Sequence, residues 1–411
     1  LSPPAKHPRT MRLPLIPILS LLLVNGLIDY YIYRAVSTRV KGVHAKAARR
    51  AVAVSSFLLA AALILIICMP KRNGGDDQLR CIMWGLFAYF SIYIPKAVYV
   101  VFDLVSRIPA LAKRKRAKWL GRTGACVGCL CFGALWWGAL VTVDRTEIVR
   151  AEVEIEGLPA AFDGYTIAQI SDFHVGTFGN DTSFVSKVVD DVNALSPDAV
   201  VFTGDIVNRR SDELVPFTGV LSRLKGRDGV YSILGNHDYG DYLDWPDEAS
   251  KAANLQYLKD MQGAMGWQML NNATAVLHRG SPTDSIMLVG VENVGDPPFR
   301  TYGDLDAAYP GDLDDANVKI LLSHNPAHWV DDIKDSPDKN IALTLAGHTH
   351  AMQIKVAGLS PAVWRYKTWG GMYADADSTH KLYVNTGLGE VGFPARIGAT
   401  PEITLITLRK K

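Results

Sequence analysis

The spacing of apolar residues divides the chain into two regimes. Residues 13–33, 51–69, 81–104 and 124–143 form long apolar stretches with few charges. Each is long enough, at helical rise, to cross the roughly 30 Å hydrocarbon core of a bilayer. Beyond residue 160 the apolar runs shorten to strand length: 167–170, 199–202, 230–234, 320–322 and 343–346 are rich in β-branched residues, and each stops at a polar cluster. Runs of this length and composition predict strands buried on both faces. Between the first two, apolar residues at 184, 185, 188, 189, 192 and 195 have the helical period, and residues 211–226 predict a second helix ending at Gly226. Strand followed by helix, repeated, predicts a layered α/β domain. Strands expected at 286–291, 381–384 and 403–408 have shorter connections and predict a second sheet packed on the first. The expected organisation is an N-terminal extension at 1–12, an all-α transmembrane region of about four helices at 13–143, a linker at 144–160 and an α/β domain at 161–411. Met11 directly precedes the first apolar run, so residues 1–10 read as an upstream extension or a start-site artefact. A cleaved signal peptide is the competing reading of 13–33, but its apolar run is too long and further segments follow.

Charge adds an orientation. The first loop between the apolar runs holds Arg34, Arg39, Lys41, Lys46, Arg49 and Arg50, and the third holds Arg107, Lys113, Arg114, Lys115, Arg116, Lys118 and Arg122. The second carries Lys71, Arg72 and Arg80 against Asp76 and Asp77. Basic loops stay in the cytoplasm, so loops one and three face inward. Four spans then predict a multi-pass protein of the plasma (inner) membrane with its α/β domain on the extracytoplasmic face. Lys96, inside the third run, is expected to snorkel, face a helix interface or pair with a partner, and to serve packing rather than function. Hydrophobic residues make up 48% of the chain and mean hydropathy is +0.09, as membrane segments require. Beyond residue 150 there are 21 basic and 35 acidic residues, a net of −14. That balance argues against nucleic acid as a partner, because phosphate backbones call for a basic surface. All five cysteines lie before residue 150. The C-x-x-C-x-C at Cys126, Cys129 and Cys131 sits in an uncharged run and reads as helix packing, and no disulfide framework is available to the α/β domain.

The polar clusters at the strand ends carry the chemistry: Asp172 and His174, Asp205, Asn236 and His237, His324, then His348 and His350. Carboxylate, amide and imidazole donors without thiolate suit Mn, Fe or Zn, and suit Ca and Mg less well. One ion rarely uses so many ligands, whereas two ions sharing a carboxylate would use nearly all. A serine nucleophile at Ser171 or Ser323 is the alternative. Both serines directly precede ligand positions, where a small packing residue is the simpler explanation.

The ordered set D-x-H, G-D, G-N-H-D, S-H and G-H-T-H, each block after a strand, resembles the calcineurin-like metallophosphoesterase superfamily over residues 160–408, and within it the membrane-associated YkuE/YaeI-type subfamily. The resemblance implies an αββα two-sheet sandwich. It further implies one divalent or trivalent ion on Asp172, His174 and His350, a second on Asn236, His324 and His348, and Asp205 bridging them. The implied reaction is hydrolysis of a phosphomonoester or phosphodiester by metal-bound hydroxide. Lipid-linked esters are among the expected substrates, because some relatives act on nucleotide-linked lipids. His237 resembles the family's non-ligating histidine, which donates a proton to the leaving alkoxide or holds a phosphate oxygen, and Asp238 is placed to orient it. Residues 387–396 resemble the glycine-rich closing segment of membrane-associated members, and Arg396 within it is a candidate to bind substrate phosphate, with a surface or structural arginine the equal alternative. The segment with Trp364, Arg365, Tyr366, Lys367, Trp369 and Tyr373 suits either a membrane interface or acyl-bearing substrate, or a hairpin packed on the domain. The runner-up function is a membrane sensor or transport accessory whose domain only binds ligand. A complete ligand set together with His237 favours the enzyme.

Overall fold

The computed structural model describes residues 15–69, 74–296, 300–309, 311–336 and 339–411, without the side chains of Leu15 and Pro282. These residues fall into two compact units, the first comprising the chain to Met69 with Trp84–Ala134, the second Pro70–Met83 with Leu135–Lys411.

The first unit is helical. α1 (Leu15–Arg39), α2 (His44–Cys68), α3 (Asp76–Val105) and α5 (Lys118–Trp137) are long, and α4 (Ile108–Leu111) is a single turn. α5 continues into a π-helical turn at Gly138–Thr142, and four helices have the length and hydropathy of membrane spans. The expected apolar runs lie inside these helices, apart from residues 13 and 14, which fall outside the described residues, and single residues just past the ends of α2 and the π-helical turn. Lys96 does face a helix interface. Its Nζ lies 2.8 Å from Asp29 Oδ1 on α1, and Tyr93 donates to Asp29 Oδ2 at 2.6 Å. Pairing lowers the cost of holding either charge away from water. Near the other end of α3, the buried Asp103 carboxylate receives Arg39 at 2.8 Å, Arg107 at 3.3 Å and Arg116. It thereby ties the end of α1 to the approach to α5. Cys126, Cys129 and Cys131 are free thiols on α5.

The second unit contains twelve strands among its described residues. β1 (Glu147–Ile155), β2 (Thr166–Ile170), β3 (Ala199–Phe202), β4 (Val230–Ser232), β5 (Gln268–Met269) and β12 (Glu402–Lys410) form one sheet in the order β1-β12-β2-β3-β4-β5. β6 (Ala273–Arg279), β7 (Ser281–Gly290), β8 (Lys319–Leu322), β9 (Ile341–Ala346), β10 (Gly371–Ala374) and β11 (Lys381–Val384) form the other, in the order β10-β11-β9-β8-β7-β6. β2 to β5 run parallel, as do β7, β8, β9 and β11. Ile167, Val201 and Ile233 from the first sheet meet Ile320, Leu322, Leu343 and Leu345 from the second in one buried layer. On the outer face of the first sheet, Val185, Val188, Val189 and Val192 of α6 (Ser183–Ala194) cover Ala168, Ile170, Val200 and Phe202. On the outer face of the second, Trp329 and Ile333 cover Leu321 and Val384. The result is the αββα sandwich. Strands covered on both faces need apolar residues at every position, which is why they appear as unbroken runs.

Three expectations change. The stretch 144–160 is not a free linker, because β1 occupies it and pairs with β12 from Glu147↔Glu402 to Ile155↔Lys410. Val149, Ala151, Val153 and Ile155 turn inward, while Arg150, Glu152 and Glu154 point to solvent from this edge strand. The sequence shows this strand only at its end, as the alternating segment Val153–Ile155 that the linker leads into, because charges on the outer face break up the apolar run. The helix expected at 211–226 is instead a 3₁₀ segment, Ser211–Phe217, followed by the single turn α7 (Thr218–Leu221). Pro216 withdraws one backbone donor there. α8 (Glu248–Ala264) was not anticipated: its fully buried apolar contacts reduce to Leu258 and Met261, too few for a periodic signal. α9 (Leu305–Ala308) is a single turn.

Candidate active site

The C-terminal ends of β2, β3 and β4 in one sheet and of β8 and β9 in the other deliver the polar clusters to a common point. Asp172, His174, Asp205, His348 and His350 all adopt left-handed backbone conformations, with φ of 55°, 46°, 61°, 74° and 50°. Outside glycine this region is sparsely populated, and residues held there gather where a site needs them aimed. Hydrogen bonds hold them in place. The His348 N–H donates to the Asp172 carboxylate at 3.0 Å, and the His237 N–H donates to Asp205 Oδ1 at 2.8 Å. The closing segment straps the β2 end, with Leu388 N–H on the Ser171 carbonyl (3.0 Å) and Gly389 N–H on the Asp172 carbonyl (2.8 Å). A side chain at Gly389 would run into the Phe173 carbonyl, and one at Gly204 would come 2.6 Å from the Gly235 nitrogen. Both approaches require glycine.

The side chains converge with their acceptor atoms facing one another. His174 Nε2 lies 3.1 Å from His350 Nε2, and His350 Nε2 lies 3.3 Å from Asp172 Oδ1. His324 Nε2 is 3.1 Å from Asn236 Oδ1, 3.2 Å from His348 Nδ1 and 3.1 Å from Asp205 Oδ2. Asp205 Oδ2 is also 3.6 Å from His174 Nε2, so this one carboxylate faces both groups. The remaining polar atoms are turned away by partners that fix each ring or amide. His324 Nδ1 donates to the Thr203 carbonyl (2.7 Å), the Tyr366 hydroxyl is 3.1 Å from His348 Nε2, and Asn236 gives its NH₂ to the Tyr242 hydroxyl (2.7 Å). Such outer partners orient ligating atoms.

Electrostatics agree with a cation site. Burial works against ionisation of Asp172, but His350, by charge and hydrogen bond, and His324 together outweigh it and hold the carboxyl below the usual range; at Asp205, His324, His237 and His174 together do the same. Burial keeps the His174 imidazole well below its ordinary value and pushes His348 down to about 3. Burial also opposes charge on His324, yet the Asp205 carboxylate holds it up at about 9. Ionised carboxylates therefore face the neutral imidazoles of His174 and His348 and a protonated His324, and the buried Nδ1 of His174 has no partner. Three groups, Asp172/His174/His350, His174/Asp205/His237 and Asp205/His324/His348, have the proximity to hold a metal ion. The donor chemistry fits divalent transition metals.

Two expected roles meet a different geometry. Asp238 does not touch the His237 ring; its carboxylate accepts the backbone N–H groups of Asp205, Ile206, Val207 and Gly235 at 2.8–3.2 Å. The His237 ring is oriented instead by the Asn208 carbonyl, 2.7 Å from Nδ1, and by stacking on Tyr242 with centroids 4.2 Å apart. Arg396 is fully buried rather than facing substrate, because three carbonyls claim its guanidinium: those of Gly389, Thr386 and Ala399. Its Nη2 also lies 3.2 Å from His350 Nδ1, beneath the cluster. The segment 364–373 is divided, with Trp364 exposed and Tyr366 turned to His348. A cavity of about 330 Å³ opens beside the cluster, lined among others by His237, Tyr242, His348, Arg365 and Tyr366. Tyr242 and Asn208 carried no motif signal, and Asn208 acts through its backbone, which a side-chain pattern does not register.

A two-sheet sandwich with carboxylate, amide and imidazole donors gathered at its strand ends defines a metal-dependent hydrolase. Residues 165–352 match the family model described as calcineurin-like phosphoesterase, and residues 11–142 match that of a probable calcineurin-like phosphoesterase transmembrane domain. Among curated proteins, the metallophosphoesterase YkuE of Bacillus subtilis is 31% identical over 300 residues, covering 68% of this chain and 94% of that protein. A transmembrane protein with metallophosphoesterase domain from Danio rerio is 29% identical, with 79% of this chain and 73% of that protein covered. The UDP-2,3-diacylglucosamine pyrophosphatase LpxG of Chlamydia trachomatis is 28% identical, with 66% and 91% covered. The chain belongs to the calcineurin-like phosphoesterases, as a membrane-anchored, metal-dependent member.

Proposed function

We propose that the chain hydrolyses a phosphomonoester or phosphodiester at a two-metal centre on the outer face of the membrane, with a lipid-linked ester as the preferred substrate. The observation that supports the centre is the Asp205 carboxylate, set 3.6 Å from His174 and 3.1 Å from His324, so that it would serve both groups of ligands. Asp172, His174 and His350 would hold one ion, and Asn236, His324 and His348 the other. Bound there, two ions of the Mn, Fe or Zn type would supply Lewis acidity to the phosphoryl group and to the attacking water.

The chain's own groups do the rest. The Asn208 carbonyl accepts from His237 Nδ1–H, so the ring would act as an imidazolium whose Nε2–H passes its proton to the leaving oxygen and leaves the neutral Nδ1–H imidazole behind. Tyr242 keeps the Asn236 carbonyl oxygen turned inward, and Tyr366 does the same for His348 Nδ1. Arg365 brings positive charge to the cavity rim, balanced by Asp296 at 2.9 Å. Arg396 serves beneath the site as a brace for His350 and the closing segment.

Three features support a lipid-linked substrate. A single helix already anchors a protein, and this chain has four spans. The likeness to LpxG is to a protein named for a diacylated sugar nucleotide. The net of −14 beyond residue 150 speaks against nucleic acid. The test is a comparison of matched lipid-linked and water-soluble phosphate esters with the full chain in liposomes. A higher kcat/KM for the lipid-linked ester is expected. Equal or higher values for the soluble ester would contradict this substrate class.

A further inference from the structure

Directly after His350, the chain departs from ordinary backbone geometry. Ala351, Met352 and Gln353 follow with φ of 50°, 47° and 58°, a left-handed run without glycine. Gln353 secures it from below, donating to the carbonyl of Ala395 (2.9 Å) and accepting from the Val391 N–H (2.9 Å). A tight hairpin is built on this base. Val356 and Leu359 exchange both backbone hydrogen bonds, at 2.8 and 3.0 Å, around Ala357 and Gly358, which both have positive φ. This is the two-residue turn whose twist matches its flanking strands. Ser360 then caps the 3₁₀ turn Pro361–Trp364 and donates to the Ala351 carbonyl at 2.5 Å.

This firmly held segment presents apolar side chains to the outside. Leu359 is 75% exposed and Trp364 88%, and Met352, Val356 and Val363 are exposed beside them. Elsewhere between residues 143 and 411, the exposed large apolar side chains among the described residues are scattered singly. Lys355, Arg365 and Lys367 flank the segment. A tryptophan with aliphatic residues, bordered by cations, is the composition of a surface that sits at a membrane interface.

The identity of what covers it follows from where the hairpin is rooted. Ile354 bridges to Ile397 and Gly398, the Lys355 N–H donates to the Ile397 carbonyl at 2.7 Å, and the Arg396 N–H donates to the Gly138 carbonyl at 3.2 Å. Gly138 opens the π-helical turn that closes the last membrane helix, where Trp137 and Leu140 are themselves exposed. The hairpin base thus joins the point at which the chain leaves the bilayer, inside one compact unit.

We propose that residues 352–364 form a membrane-inserting loop that embeds Val356, Leu359, Val363 and Trp364 in the leaflet adjoining the domain. The segment continues into Arg365 and Tyr366, which line the cavity beside His237 and His348. Insertion therefore sets the cavity mouth at headgroup depth, where a phosphate ester of a membrane-resident amphiphile enters from the leaflet. That last step rests on the function proposed above, whereas insertion itself does not.

The experiment places an environment-sensitive fluorophore at Leu359→Cys or Trp364→Cys in the full chain, with the five native cysteines replaced by serine. The control is Asp190→Cys, whose side chain is 65% exposed on α6. The protein is reconstituted in phosphatidylethanolamine–phosphatidylglycerol vesicles carrying brominated acyl chains. Insertion gives a blue-shifted emission at 359 and 364, quenching by the bromolipid and loss of quenching by aqueous iodide, none of which occurs at 190. Iodide quenching at 359 and 364 equal to that at 190 overturns the proposal. Shielding from iodide without bromolipid quenching also overturns it, because protein then covers the loop. No turnover is needed for this readout, so it can fail while hydrolysis stands, or stand while the lipid-linked substrate fails. A Leu359→Ser/Trp364→Ser variant adds a functional measure: lower kcat/KM on vesicle-borne ester with an unchanged value on a soluble aryl ester is expected. An equal fall on both esters counts against the loop.

Discussion

Asp205 and His237 are neighbours with different tasks, and alanine variants separate them. Asp205 faces both halves of the donor cluster, so Asp205→Ala is expected to lose bound metal and activity together. His237 has its Nδ1 committed to the Asn208 carbonyl and stands at the cavity, so His237→Ala should keep its metal and lose turnover by roughly 10²–10⁴-fold. Elemental analysis beside kinetics distinguishes the two, and a metal-free His237 variant would make that histidine a ligand. Asp238→Ala should behave differently from both. Its carboxylate satisfies four buried backbone donors, each worth about 1–3 kcal/mol when left unpaired, so the variant should unfold at lower temperature. The residues of the cluster were legible in the sequence because metal donors are few in kind and each follows an apolar run. Asp238 was misplaced, and Arg396 was left between a substrate contact and a structural role, for one physical reason. A charged side chain beside a site is as well suited to holding backbone amides or carbonyls as to touching substrate, and sequence does not distinguish these.

At the scale of elements, the 3₁₀ segment Ser211–Phe217 carries a testable titration. Burial pushes the Glu213 carboxyl up to about 7 from an ordinary value of 4.5, although the Asn208 and Arg209 N–H groups pull it down. Because the folded value lies above the unfolded one, the protonated form favours folding. The contribution, on the order of 3 kcal/mol, is fully present below pH 4.5 and is lost as pH rises through 7. Thermal unfolding between pH 4.5 and 8 should therefore show wild type losing stability relative to Glu213→Gln, and parallel profiles would contradict the assignment. The break that creates this segment was hidden, since the apolar residues at 214, 217, 221 and 224 continue a helical spacing through Pro216. β1 was legible only at its end, the alternating Val153–Ile155, because an edge strand with charges on its outer face has no apolar run. Strands buried on both faces, by contrast, were visible almost to the residue.

At the scale of the whole molecule, the membrane spans were readable because a bilayer demands length and hydropathy that few other structures need. Their orientation is a prediction from loop charge. A reporter active only outside the cytoplasm should work when fused after Lys411 and fail when placed at residues 107–122, and the reverse would put the domain inside. The Asp76–Arg209 pair at 2.6 Å joins the first turn of α3 to the domain within the second unit, a contact that four spans allow in either orientation, so the reporter alone decides the side. The two-metal centre remains the central claim, and metal content measured on the same sample as phosphoesterase activity tests it most directly. The full chain, stripped by chelation and checked by elemental analysis, should lose hydrolysis of an aryl phosphate ester and regain it as two equivalents of Mn, Fe or Zn per chain are restored. Full activity in protein verified to be metal-free would contradict it.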